Sequence, residues 1–187
     1  IDLPVPDDAF VVGMVGRICK QKAPDIFIKM ASEVKKEIPN SCFVIVGDVI
    51  EGNENERKNI EELAKKLCVN LIITGWIDNP LAYMEKFDVG CLLSRWEGFG
   101  LAIPEYMLTK TPIVATRVDA IPYLITDGVD GLLVDKDSWK DAADKVISIF
   151  LNKINKTELI ENANITVHKR FNVKRVSKET EELFESV

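Results

Sequence analysis

Histidine is nearly missing from this sequence: His168 is the only one among 187 residues. A serine or cysteine nucleophile therefore has no ready imidazole base, and a histidine-based metal centre is excluded as the organising chemistry. The four cysteines, Cys19, Cys42, Cys68 and Cys91, lie 23 to 26 residues apart with no C-x-x-C pair. They read as reduced thiols, with Cys42 and Cys91 set inside apolar runs. No apolar stretch approaches the roughly 20 residues that a spanning helix needs, and no leader peptide is expected. A cytoplasmic setting is the expectation, with peripheral association at the inner face of a membrane allowed through a missing partner domain. A basic excess is also lacking. The net charge is −6, so no nucleic-acid partner is expected, and any anionic ligand must meet a local cluster of cations. Neither G-x-G-x-x-G nor a P-loop follows the first apolar run, which removes the main support for dinucleotide or ATP binding.

What is present is a rhythm. Six short apolar runs, Phe10–Gly16, Cys42–Gly47, Asn70–Thr74, Asp88–Ser94, Pro112–Thr116 and Gly131–Val134, read as buried strands. Helical patterns separate them at Ala23–Ile38, Asn55–Leu67, Pro80–Lys86, Gly100–Thr109, Ile121–Thr126 and Trp139–Leu151, and two more, Thr157–Arg170 and Val173–Ser186, close the chain with Leu159, Ile165, Phe171, Val176, Leu183 and Phe184 expected as core-facing stripes. Strands alternating with helices specify parallel βαβ units. Strands without polar alternation specify a sheet covered on both faces. The expectation is an α/β, doubly wound, Rossmann-like domain with a six-stranded parallel sheet plus C-terminal helices, a single unit over residues 1–187. In such sheets ligands bind beyond the carboxyl ends of the strands at the topological switch point, so the turns there carry the chemistry.

The first turn, Gly16-Arg17-Ile18-Cys19-Lys20-Gln21-Lys22, places three cations within six residues ahead of Pro24. Arg17 offers paired donors and Lys22 a point charge, a combination suited to a diphosphate. The fourth turn runs Ser94-Arg-Trp-Glu97-Gly98-Phe99-Gly100-Leu101-Ala-Ile-Pro104-Glu105. Its glycines allow backbone N–H groups to approach an anion, and the helix that follows adds partial positive charge. Glu97 and Glu105 lie eight positions apart. A carboxylate accepts from sugar hydroxyls, so Glu105 suits a ribose while Glu97 faces whatever hangs from the phosphate. No Asp-x-Asp metal loop is evident, and metal-independent chemistry is expected.

The string Glu97-Gly-Phe-Gly-Leu-x-x-x-Glu105 resembles the E-x7-E motif of family 4 glycosyltransferases, which have the GT-B fold. Gly16-Arg17 with Lys22, Val46-Gly47-Asp48, Gly75-Trp76-Ile77-Asp78, Thr111 to Thr116, and Asp127-Gly128-x-x-Gly131-x-Leu-Val134 resemble further turns of that family in the same order. The resemblance implies the donor-binding half of a two-domain, retaining enzyme whose N-terminal, acceptor-binding domain is absent here. It implies catalytic roles for Arg17 and Lys22, on the leaving diphosphate, and for Glu97. It also implies donor contacts from Gly16, Glu97, Gly98, Phe99, Gly100 and Leu101, ribose binding by Glu105, and a base contact near Ile77. The donor would be a UDP- or GDP-sugar, with no cofactor. Three positions depart from the family pattern: Gln21 stands for Glu, Ala23 for Gly, and Lys110 for Gly.

Two rival functions share part of this pattern. A non-catalytic nucleotide-binding module would use Arg17, Lys22 and Glu105 without needing Glu97. A nucleotide-sugar epimerase of the same fold would want acid and base groups on both sides of the sugar. A flavodoxin-like signalling domain would want acidic rather than cationic residues after the first strand.

Overall fold

The computed structural model describes residues 3–171 together with Ser177, Glu181, Glu182 and Phe184. The expected final helix, Val173–Ser186, lies outside these residues apart from those four positions. Six strands form one parallel sheet: β1 (Phe10–Val15), β2 (Ser41–Val46), β3 (Leu71–Ile73), β4 (Val89–Leu92), β5 (Ile113–Thr116) and β6 (Leu132–Val134). Their spatial order is β3-β2-β1-β4-β5-β6, so the winding reverses between β1 and β4. Every strand falls within one of the six expected runs or extends it by one residue. β2 and β4 to β6 are buried along their whole length, which accounts for their unbroken apolar sequences.

Two hydrophobic layers cover the sheet. On one side lie α1 (Pro24–Glu37), α2 (Glu54–Lys66) and α6 (Trp139–Phe150), whose buried residues join one core cluster. On the other lie α3 (Leu81–Met84), α4 (Ala102–Leu108), α5 (Ile121–Leu124) and α7 (Lys156–Arg170). Helix α1 begins with Pro24 at its first position and ends with Lys35 and Lys36. Proline there gives up an N–H that has no helical partner, and the lysines complement the helix dipole. Helix α4 is seated by an exchange of volumes. Tyr106 is fully buried, and a Cβ added at Gly90 would stand 2.5 Å from its ring, so only glycine on β4 lets the aromatic lie flat on the sheet.

Three details differ from expectation. Helix α4 starts at Ala102 rather than Gly100, because Gly100 is left-handed at φ 88. Ile165 was read as core-facing in the last helices and is 64% exposed. The buried stripe of α7 is Leu159, Ala163 and Val167 at helical spacing, which puts Ile165 on the opposite side. Phe184, read the same way, is also exposed. Among the described residues no helix is long and apolar enough to cross a membrane.

Candidate donor-binding site

The two turns singled out in the sequence follow β1 and β4, the neighbours between which the strand order reverses. They meet at the crevice where open α/β sheets bind ligands. The contact between them is an ion pair: Lys22 Nζ lies 2.5 Å from Glu97 Oε2, with the two side chains only 15% and 9% exposed. The Ser94 hydroxyl donates to the same carboxylate oxygen at 3.1 Å. A carboxylate this deeply set needs a cation and hydrogen bonds to offset its lost hydration. Lys22 therefore does more than the sequence reading gave it. It was expected to face a diphosphate, and it also neutralises the first carboxylate of the E-x7-E string. The second carboxylate feels it too. Burial pushes the Glu105 carboxyl up, and the Lys22 charge pulls it partly back. Lys22 thus stands within electrostatic reach of both glutamates.

Arg17 is exposed at the rim, and its guanidinium donates to the Gln21 side chain at 3.4 Å. Gln21 donates in turn to the Trp96 carbonyl at 3.2 Å, so the residue that replaces the family's Glu ties the first turn to the fourth. Arg95 is the stronger tie, and composition gave no sign of it. Its backbone N–H donates to the Gln21 carbonyl, while its guanidinium forks onto Asp25 at 2.7 and 3.0 Å and reaches Asp137 at 2.8 Å. Asp137 belongs to an Asp135-Lys136-Asp137 triplet, the one Asp-x-Asp sequence in the chain, which the reading of the sequence overlooked. Its carboxylate is held by Arg95.

Among the described residues, the N–H groups of Gly98, Phe99, Gly100 and Leu101 donate to no backbone or side-chain acceptor. Gly98 stands in open space, while Gly100 turns the chain into α4. That helix is only seven residues long, so the turn's exposed donors are these free N–H groups more than the end of a long helix dipole. Phe99 packs edge-on against Phe171 at 6.1 Å yet stays 45% exposed, and Leu101 is 68% exposed. Ile77 lies apart from these groups, half-buried against the second core cluster beyond β3. An isolated bridge between Gly47 and Gly75 brings its loop beside the β2 turn. The Asp127–Val134 string acts structurally. Asp127 accepts the Leu133 N–H and pairs with Arg117, and buried Asp130 accepts from the Thr126 N–H and the Thr166 hydroxyl. All four cysteines are free, with Cys42 and Cys91 buried, Cys19 half-buried and Cys68 exposed.

A doubly wound sheet with a cationic turn facing a two-carboxylate turn across its switch point defines a Rossmann-like α/β domain of the kind that makes up half of a GT-B fold. The sequence profile of "Glycosyl transferases group 1" matches residues 2–166, and the chain belongs to that family. It is similar to D-inositol 3-phosphate glycosyltransferase of Corynebacterium urealyticum, 31% identical over 155 residues, covering 78% of this chain and 37% of that protein. It is also similar to UDP-Gal:alpha-D-GlcNAc-diphosphoundecaprenol alpha-1,3-galactosyltransferase of Escherichia coli, 33% identical over 182 residues, covering 91% of this chain and 44% of that protein. The chain thus spans less than half the length of these relatives. Among solved structures, Anabaena HepE in complex with UDP-glucose superposes with a TM-score of 0.90 at 23% identity, over 96% of this chain and 50% of that one. The C-terminal domain of a group 1 glycosyl transferase, LpcC from Francisella tularensis, gives 0.81 at 26% identity, over 90% of this chain and 89% of that one.

Proposed function

We propose that this chain is the donor-binding domain of a retaining hexosyltransferase that moves a hexosyl group from a UDP- or GDP-sugar to a glycan, lipid or small-molecule acceptor. The observation that carries the reading is the juxtaposition at the switch point of Lys22 with Glu97 and Glu105, under the free N–H groups of Gly98 to Leu101. In this reading Arg17 and Lys22 receive the negative charge that builds on the diphosphate as the anomeric bond breaks. Glu105 accepts from the ribose hydroxyls, the backbone near Ile77 meets the base, and Glu97 with the Gly98–Leu101 backbone holds the hexose. The cations supply the charge stabilisation, so no metal is needed. Two further observations support a partner domain in the same parent chain, carrying the acceptor. The relatives are more than twice as long, and the LpcC structure is likewise a C-terminal domain. The setting proposed is the cytoplasm, with any contact to a membrane surface made through the partner domain.

The rival readings have less support. A nucleotide module without chemistry leaves Glu97 unexplained, although the fold places it beside Lys22. An epimerase needs a second acid or base group, and both relatives named above are glycosyltransferases. Calorimetry on this chain with UDP, GDP and ADP, with and without a chelator, tests the proposal. One diphosphate should bind with a Kd between about 1 μM and 1 mM, or roughly −8 to −4 kcal/mol. Binding should persist in the chelator and be lost in Arg17→Ala and Glu105→Ala variants that remain folded. Equal binding by those variants would sink the assignment.

A further inference from the structure

The loop after β5 carries a carboxylate that the donor-site reading leaves unused. Asp119 lies two residues ahead of α5 with φ 45, a left-handed conformation that costs most side chains energy and that Asp and Asn tolerate best. Its Oδ2 accepts the backbone N–H of Glu97 at 2.8 Å. Glu97 is 8% exposed and Asp119 is exposed, so without Asp119 that N–H would lose its only protein acceptor among the described residues. The same loop supports the turn a second time: the Ile121 side chain stands 3.0 Å from where a Cβ on Gly100 would sit. Glu97 is therefore pinned at both ends, its main chain by Asp119 and its carboxylate by Lys22 and Ser94.

We propose that Asp119 is a positioning residue for the donor's sugar. It fixes the main chain of the Glu97 turn and so aims the Glu97 carboxylate and the neighbouring N–H groups at the hexose, while Arg17 and Lys22 hold the diphosphate. The proposal rests on the donor-site reading above. The sequence offers only a weak hint of it, because Asp119 lies 22 positions from Glu97 and belongs to no recognised string.

The test compares UDP with UDP-glucose, or GDP with GDP-mannose if the guanosine diphosphate is the one that binds, by calorimetry on the 187-residue chain. In Asp119→Ala the preference for the sugar nucleotide over the bare diphosphate should fall about tenfold, the loss expected for one charge-assisted hydrogen bond. Asp119→Asn keeps an acceptor oxygen and tolerates the left-handed backbone, and it should restore the preference. Asp119→Gly relaxes the backbone while removing the carboxylate. It should melt above the alanine variant and still lose the preference, so it carries the test if the alanine variant fails to fold. An unchanged preference in both the alanine and glycine variants, or an asparagine variant as weak as alanine, would overturn the proposal. If wild type bound no nucleoside diphosphate, the donor-site reading would fall and take this one with it. If wild type bound normally and the ratios did not move, this proposal alone would fall.

Discussion

Replacing Lys22 by Met removes the only cation within ion-pair distance of Glu97 among the described residues. At 2.5 Å the gross attraction is about 6–7 kcal/mol at an effective dielectric constant near 20. Desolvation of the two ions offsets most of this, and the net cost of leaving one of them unpaired when nearly buried is about 2–3 kcal/mol. For a chain of this size that corresponds to a melting temperature lower by roughly 4–12 °C. Glu97→Gln should cost less, about 1 kcal/mol, because the flexible lysine stem can carry its ammonium toward water. The double variant leaves no buried charge and should lie well above the sum of the singles, with a coupling energy of about 1–2 kcal/mol. Chemical denaturation of the four proteins measures that coupling. Additive effects within about 0.5 kcal/mol would refute the claim that the pair is energetically real.

Glu97→Gln should also tighten binding of the bare diphosphate, since the ammonium no longer has a protein carboxylate to leave. It should weaken the sugar nucleotide relative to the bare diphosphate, and parallel titrations would show both. Burial holds the Glu105 carboxyl above its ordinary value of about 4.5. The unfolded chain therefore releases that proton first, and stability falls as pH rises from about 4.5 through the raised folded value. Glu105→Gln should melt above wild type at pH 7 and level with it at pH 4, while nucleotide affinity is lost. A variant less stable at both pH values would contradict the stated cause. Lys110 is exposed and left-handed at φ 57 just past α4, so Lys110→Gly should add about 0.5–1 kcal/mol of stability by relieving the αL cost. No rise in melting temperature would count against it. A thiol reagent should label Cys19 and Cys68 in the folded protein and all four cysteines after denaturation, because Cys42 and Cys91 are buried and burial pushes both thiols up. Labelling of Cys91 in the native state would disprove this packing.

The strands were legible because a sheet covered on both faces leaves an unambiguous trace: unbroken apolar runs such as Cys42–Val46, each closed by a turn. Helix phase was less legible in α7, where Ile165 and Val167 are equally apolar and only the packing on α4 decides which is buried. The candidate residues Glu97, Glu105, Arg17 and Lys22 were visible as strings. Their partnerships were not. Lys22 and Glu97 are separated by 75 positions, as are Gln21 and Trp96, and a charge gives no clue to which opposite charge it will meet. The Ala23 and Lys110 departures were visible against the family pattern, but that both sit in the left-handed region is a fact of the backbone alone.

The Arg95 fork onto Asp25, together with the Gln21 bridge to Trp96, joins the β1 turn to the β4 turn independently of any ligand. Cation and carboxylate walls are thereby carried on one rigid half-mould. Little conformational freedom is left for a donor to freeze out in that wall, so its affinity should reflect contacts rather than reorganisation. On the proposed reading, the movement that accompanies turnover is to be sought elsewhere, in how a second domain would approach this prefabricated surface.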